Sequence, residues 1–112
     1  MDLTAQDCGD ALLICVPDTR IDASVAIQFK DKMREITNSA HARIVLDLSR
    51  VDFVDSSGLG AVVGAMKQLG SERRLDLAGL TPNVAKVFRL TRMDRVFRIF
   101  DDADSATQAD AA

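Results

Sequence analysis

Short apolar segments alternate with amphipathic stretches along this chain, and that alternation constrains its fold more than any other feature. The apolar segments are residues 11–16, 44–48 and 75–78, each bounded by turn-forming or polar residues. Such segments are typical of buried strands, and the nearly continuous apolar character of 44–48 favours an interior strand covered on both faces. A last short strand is predicted at 96–100, and the polar residues 1–10 are compatible with a weak edge strand.

Amphipathic helices are predicted in the intervals between these strands. The first helix has Asp22 and Ser24 as candidate N-caps. The second begins at Ser56-Ser57-Gly58, and Gly70 is placed to end it. The third has Thr81 as its N-cap, with a proline at the first helical position. The apolar residues on the three inner faces are Ala26, Phe29, Met33 and Ile36, then Leu59, Val62, Val63, Met66 and Leu69, then Val84, Val87 and Phe88.

The alternation of strands and helices predicts one α/β domain around a largely parallel sheet with right-handed crossovers. In such a sheet the carboxyl end of each strand leads into the next helix. The loops 17–24, 49–57 and 79–82 should therefore open on one edge, which is where partner and ligand sites of open parallel sheets tend to lie. The polar residues expected to gather there are Asp22, Ser24, Asp55, Ser56, Ser57 and Thr81.

Composition argues against several classes of function. With 14 Lys and Arg against 17 Asp and Glu, the net charge is -3, which disfavours nucleic acid as a partner. The one histidine, His41, is expected to be an exposed loop residue, and two cysteines without ligand spacing do not predict a metal site. No catalytic or cofactor motif is recognisable. The two cysteines fit a reducing cytoplasm, and neither a signal peptide nor an apolar stretch of ~20 residues is visible.

The run Asp55-Ser56-Ser57-Gly58 has two interpretations. Asp and Ser are ordinary N-cap residues, so the run by itself only marks the start of a helix. A regulatory interpretation follows from its place at the predicted binding edge, where Val51, Phe53 and Val54 are expected to hold the loop on the core. A phosphate on Ser56 would add about -1.5 to -2 charge, which can abolish docking by repulsion and desolvation alone.

The longer segment around this run resembles the central motif of STAS-domain anti-sigma factor antagonists. The resemblance extends from Ile44 to Gly60 and continues at 66–68, 80–90 and 93–97, so that it covers roughly residues 11–102. It implies a STAS-like single domain at 1–102, with about four to five strands in a mostly parallel sheet and about four to five helices. Residues 103–112 are expected to be a frayed helix or a disordered tail.

The resemblance also implies a partner-switching cycle in which the protein itself catalyses nothing. In this family the unphosphorylated antagonist binds an anti-sigma factor that is also a serine kinase, and so releases a sigma factor or another target. Phosphorylation of the serine after the aspartate, Ser56 here, ends binding, and a serine phosphatase restores it. Ser57 would cap the helix. The implied partner-binding residues are Asp22, Ser24, Asp55, Ser56, Ser57, Gly58, Leu59 and Thr81.

The chain departs from the family pattern at Asp18-Thr19, where a glycine is usual. Other STAS domains are constitutive scaffolds or subunits of transport complexes without a phosphorylation switch, and this is the alternative function. A small nucleotide-binding or hydrolytic domain using the same edge is less favoured. In the antagonist role, exchange of one partner for another implies a monomer when free, with neither a membrane nor a nucleic acid among its partners.

Overall fold

A computed structural model describes residues 1–108, and its centre is a five-stranded sheet in the order β1-β2-β4-β6-β7. The strands of this sheet are β1 (Thr4–Cys8), β2 (Ala11–Cys15), β4 (Arg43–Asp47), β6 (Arg74–Ala78) and β7 (Ile99–Phe100). β1 is antiparallel to β2, and the other neighbours are parallel. The mostly parallel sheet and the edge strand at the amino terminus are therefore confirmed.

Four helices complete the described fold: α1 (Ala26–Ile36), α2 (Ser56–Leu69), α3 (Pro82–Leu90) and α4 (Ala103–Gln108), with a single 3-10 turn at Met93–Arg95. α1 and α2 pack on each other, and their apolar faces cover one side of the sheet. α4 covers the other side. Strand β4 lies between these layers, and its residues Ile44, Val45 and Leu46 are completely buried. The prediction of an interior strand covered on both faces is confirmed.

Two short strands were not expected from the sequence. β3 (Arg20–Ile21) and β5 (Phe53–Val54) form a separate parallel pair at the carboxyl edge of the main sheet. Two-residue strands have no periodicity to detect, because alternation needs several residues to show. The loops 17–24 and 49–57 are therefore ordered by backbone pairing with each other.

The last predicted strand was too long. Only Ile99–Phe100 joins the sheet, as β7. Phe97 instead turns into the core, where its ring lies 6.0 Å from that of Phe88 in an edge-to-face arrangement. The packing of this aromatic ring in the core therefore outweighs the strand propensity of residues 96–98.

The chain after residue 102 continues into a short helix, α4. Asp102 accepts a hydrogen bond from the Ser105 backbone amide at 2.7 Å, and hydrogen bonding to Ser105 lowers the pKa of the Asp102 carboxyl. α4 follows, with Ala106 fully buried and its carbonyl oxygen bonded by the Arg43 guanidinium. The expectation for residues 109–112 lies outside the described residues.

His41 is also less exposed than expected. Its side chain is 18% exposed, with Nε2 at 3.3 Å from an Asp7 carboxylate oxygen. Its Nδ1 lies 3.0 Å from the Ser39 hydroxyl oxygen. The single histidine therefore joins the loop before β4 to the edge strand β1.

Candidate functional site

Hydrogen bonds join the loops that follow β2, β4 and β6. The Asp52 amide donates to the Thr19 carbonyl at 2.7 Å, so the first two loops meet through their backbones. The Thr81 hydroxyl donates to the Val51 carbonyl at 2.8 Å and attaches the third loop. The polar residues predicted to gather at this edge therefore lie on loops that are physically connected.

Asp55 organises the start of helix α2. It is the N-cap, with extended backbone, and its Oδ1 accepts a hydrogen bond from the Gly58 amide at 2.8 Å. Its Oδ2 accepts another from the Ala23 amide at 3.2 Å. The expectation that Ser57 caps this helix is therefore wrong: Asp55 caps it, and Ser57 is already inside the first turn.

Gly58 lies directly against the backbone of β3. A Cβ atom at this position would lie 1.8 Å from the Ile21 carbonyl oxygen, far inside any van der Waals contact. Only glycine allows the first turn of α2 to approach β3 so closely. The start of α2 is thus held by a side-chain cap and by a backbone contact.

Ser56 is the first residue of α2, and both Ser56 and Ser57 are exposed. Because Asp55 and Gly58 hold the residues on either side, Ser56 stands at a defined position on the surface. Leu59 is partly buried and packs against the main core. The unpaired amides and the dipole at a helix N-terminus favour negative charge near Ser56.

The loop before Ser56 is held on the core by two of its three apolar residues. Val51 and Val54 are buried, at 0% and 3% exposure, as expected. Phe53 is 40% exposed, so the expectation that it also pins the loop is wrong. The Arg20 guanidinium carbon instead lies 4.2 Å from the centre of the Phe53 ring, which makes a cation–π pair on the surface.

Asp22 and Ser24 form a small turn before α1. The Asp22 Oδ1 accepts hydrogen bonds from the Ser24 amide at 3.1 Å and the Ser24 hydroxyl at 2.6 Å. Its Oδ2 lies 3.2 Å from the Arg20 Nε. The hydrogen bond from Ser24, followed by the one from Arg20, lowers the pKa of the Asp22 carboxyl. Neither residue is the N-cap of α1 as expected, because that position belongs to Val25.

Thr81 is the N-cap of α3, and a proline follows it, both as predicted. Its side chain makes no cap hydrogen bond, since its hydroxyl is bonded to the Val51 carbonyl. Thr81 therefore attaches α3 to the loop that carries Ser56. Asp18-Thr19 has ordinary backbone geometry, because Arg92 is the one non-glycine residue with positive φ within 1–108. No glycine is needed there.

Sequence reasoning missed exposed apolar side chains beside these loops. Ile27, on the first turn of α1, is 75% exposed, and Phe53 is 40% exposed. The signal for Ile27 was present, because it lies off the face formed by the buried residues of α1. Exposed apolar side chains beside polar ones are characteristic of docking surfaces. We call Arg20, Asp22, Ser24, Ile27, Phe53, Asp55, Ser56 and Ser57 the loop surface.

Two further findings concern residues 1–108. No helix there has the length and apolarity needed to cross a bilayer. Within the same residues, no cluster of three or more His, Cys, Asp or Glu side chains could hold a metal ion.

Comparison with known proteins gives the family. The relatives include a Bordetella bronchiseptica protein named "Putative anti-sigma factor antagonist BtrV", 28% identical over 110 residues, covering 97% of this chain and 94% of the relative. The anti-sigma-B factor antagonist of Listeria monocytogenes is 31% identical over 80 residues, covering 70% of each chain. The crystal structure of a "putative anti-sigma factor antagonist" from Thermotoga maritima matches with a TM-score of 0.84 and 26% identity, covering 95% of this chain and 92% of the other. The family model described as STAS domain matches residues 5–106, and the chain therefore belongs to the STAS domain family.

Proposed function

We propose that this chain is an anti-sigma factor antagonist whose binding to an anti-sigma serine kinase is ended by phosphorylation of Ser56. The observation that carries the proposal is the position of Ser56. It is exposed as the first residue of α2, between the N-cap Asp55 and Gly58, a position where the close approach of Ile21 admits no side chain. The antagonist relatives support the role.

The switch acts by charge on a surface that is already ordered. Asp52 and Asp55 lie within four residues of Ser56 in the chain, and the Asp22 carboxylate on the adjoining loop pairs with Arg20 at 3.2 Å. A phosphate adds about -1.5 to -2 charge to this group. The helix N-terminus offsets part of the repulsion, at about 0.3–1 kcal/mol. The added charge therefore acts mainly on the partner, through repulsion and desolvation, while the loops stay in place.

The proposed docking residues are those on the joined loops: Asp22, Ser24, Asp55, Ser56, Ser57, Gly58, Leu59 and Thr81. Gly58 and Leu59 contribute by holding α2 in place, since Gly58 is buried and Leu59 packs inward. Ile27 and Phe53 supply the apolar part of the surface. The protein acts by binding and catalyses no reaction. A serine phosphatase reverses the modification. The protein is a monomer when free and meets both the kinase and the phosphatase in the cytoplasm.

Phosphorylation mapping tests the site. The protein is incubated with the anti-sigma serine kinase of the same organism and ATP, and phosphopeptides are identified by mass spectrometry. We expect phosphate on Ser56 in the wild type and in Ser57→Ala, and none in Ser56→Ala. Ser57→Ala is the matched control because the two serines are adjacent and both exposed. Modification confined to another residue would reject Ser56 as the switch.

Binding measurements test the consequence of the modification. By calorimetry with the same kinase, Ser56→Ala should bind like the wild type. Ser56→Asp should bind at least about tenfold more weakly, because a like charge inside an interface costs several kcal/mol. Equal binding by all three proteins favours the alternative, a constitutive scaffold or transport-complex subunit, for which Ser56 has no regulatory role.

A further inference from the structure

We propose that residues 86–99 form a second docking surface, which binds an acidic segment of a partner protein. The segment runs from the second half of α3 through the 3-10 turn to the start of β7, and we call it the arginine turn. It has five cations against one acid, whereas the whole chain has a net charge of -3, so positive charge is concentrated here. The cations, all exposed, are Lys86, Arg89, Arg92, Arg95 and Arg98.

The arginine turn is compact, so its outward side chains share one surface. The buried rings of Phe88 and Phe97 pack edge to face, with their centres 6.0 Å apart. Between them the chain reverses through hydrogen bonds from the amides of Arg92 and Arg95 to the carbonyls of Arg89 and Arg92, at 3.1 and 3.2 Å. Because the two rings turn inward, the charged side chains between them lie on the outer side.

The positive charge of this turn is not compensated from within. The ion pairs among residues 1–108 involve other cations, namely Arg20, His41, Arg43 and Arg74. The Arg98 guanidinium carbon lies 5.0 Å from the centre of the Phe100 ring, a contact with an uncharged group. Carboxylates of a partner are the groups that complement such a surface.

Apolar side chains accompany these charges. Five large apolar residues are exposed within residues 1–108, and three of them lie in the arginine turn: Leu90 at 71%, Val96 at 47% and Ile99 at 37%. The other two, Ile27 and Phe53, belong to the loop surface. Exposed apolar side chains beside charged ones mark protein interaction sites. The turn therefore has both components of a docking surface.

The backbone of Arg92 supports a role for its side chain. Its φ of 61° is left-handed, a conformation that glycine or asparagine adopts at lower cost. No other non-glycine residue within 1–108 has a positive φ. Strained backbone tends to be found at functional sites, where the surrounding structure holds it. A requirement for a cation at this position accounts for the arginine.

The arginine turn lies apart from Ser56. Helix α3 leads away from Thr81, which is bonded to the loop before Ser56, and its nine residues span about 13 Å. Val96 lines a cavity together with Met66, from the carboxyl half of α2, whereas Ser56 begins that helix. Binding at the turn is therefore independent of the proposed phosphorylation switch.

A protein fits this surface better than a nucleic acid or an anionic membrane. A cavity of about 280 Å³ beside the turn is lined by Arg89 and Ile99, but also by the carboxylates of Asp94 and Asp101. These acids repel a surface that presents phosphates alone. An acidic protein segment can place its carboxylates opposite the arginines and its apolar side chains opposite Leu90 and Ile99.

Amide NMR of the isotope-labelled full chain tests the surface, with a short peptide of alternating glutamate and leucine as the probe. We expect saturable shifts at residues 86–99 and an affinity that falls as NaCl is added, since salt screens exposed charges. A peptide of alternating glutamate and serine should bind more weakly, and one of lysine and leucine should not saturate. Shifts centred elsewhere, or equal binding of the glutamate and lysine peptides, would overturn the proposal.

Two substitutions at Arg92 separate charge from folding. Arg92→Asn retains the left-handed turn but removes the cation, so it should bind the glutamate–leucine peptide about threefold more weakly, because exposed ion pairs are individually weak. Its urea midpoint should match or exceed that of the wild type. Arg92→Lys keeps the charge and should bind within about twofold of the wild type. Equal losses of affinity in both variants would contradict the role of the charge.

Three further variants locate the site. Leu90→Ser should weaken binding about threefold, because it removes an exposed apolar contact. Arg34→Gln, at an exposed arginine of α1, and Ser56→Asp should leave the affinity unchanged. Weakening by either to the extent seen in Arg92→Asn would place the binding elsewhere. Tighter binding of duplex DNA or of phosphatidic acid vesicles than of the peptide would overturn an acidic protein partner.

Discussion

At its amino end, helix α2 meets the backbone of another strand, whereas at its carboxyl end it meets long charged side chains. The amino end is positioned by Gly58 against Ile21 and by the cap from Asp55. The carboxyl end closes at Gly70, whose φ of 82° suits glycine, and Arg34 and Arg73 line a surface cavity beside this last turn. Backbone contacts tolerate little displacement, while arginine and lysine side chains adapt to what they bind.

This difference suits the proposed role of the amino end. A serine that changes charge must be presented to a partner at a fixed place, and the contacts around Ser56 provide that. The two ends of one helix are thus held by different kinds of contact, and each can be disturbed separately.

The largest expected effect concerns buried charge rather than a backbone contact. Asp76 is completely buried between the guanidinium groups of Arg43 and Arg74. Asp76→Ala should lower the free energy of unfolding by about 4 kcal/mol, because it takes this carboxylate away from the buried Arg43 guanidinium. Urea denaturation measures this change. Asp94→Ala, at an exposed acid, is the control and should stay within about 0.5 kcal/mol of the wild type.

A slightly smaller loss of stability is expected from a change at the amino end of α2. Gly58→Ala should lower the free energy of unfolding by about 3 kcal/mol, since the new methyl group forces α2 away from the Ile21 carbonyl. Gly60→Ala is the matched control, because no atom lies within 4 Å of a Cβ there. It should stabilise the helix by about 0.5–1 kcal/mol. Equal stabilities of the two variants in urea would contradict the close approach of α2 to β3.

Removal of the N-cap of α2 should cause an intermediate loss of stability. Asp55→Ala should cost about 1–2 kcal/mol, because it removes the acceptor for the Gly58 and Ala23 amides. Ser57→Ala should change stability by less than about 0.5 kcal/mol. Thermal and urea unfolding of both variants compare the two residues. A larger loss in Ser57→Ala than in Asp55→Ala would return the capping role to Ser57.

The smallest effect concerns the turn that Asp22 and Ser24 form within the loop surface. Ser24→Ala should raise the pKa of Asp22 toward its ordinary value, because the hydrogen bond from Ser24 is the main cause of its lowering. A carboxyl whose pKa is lowered on folding stabilises the fold above its ordinary pKa, and this contribution is lost as pH falls through the lowered value. NMR titration of the Asp22 side chain follows the shift. An unchanged pKa would show that Arg20 dominates instead.

Much of the fold could be predicted because its longer elements have clear patterns. The buried strand at 44–48 and the apolar face from Phe29 to Met33 follow from periodicity and length alone. Thr81 followed by proline predicted the start of α3 because local chemistry determines that position. These features depend on residues within a few positions of each other, so the sequence is sufficient.

Other features could not be predicted, because they depend on residues far apart in the chain. Asp55, Ser56 and Ser57 are all capable N-caps, and only the meeting of α2 with β3 decided that Asp55 takes this role. The short strands β3 and β5 exist because two loops pair with each other. The mostly polar segment 103–108 becomes a packed helix because Ala106 fits against the sheet and Arg43 donates to its carbonyl oxygen.

The sequence by itself determined the α/β order, the parallel sheet, and a serine run at the start of α2 that resembles the family's phosphorylation motif. Periodicity and local cap chemistry are sufficient for those features. Only the tertiary structure decided which residue caps α2, why Gly58 must be glycine, and how Asp76 comes to lie between Arg43 and Arg74. The physical reason is that close backbone contacts and summed charge depend on distances in space, which residue order alone does not specify.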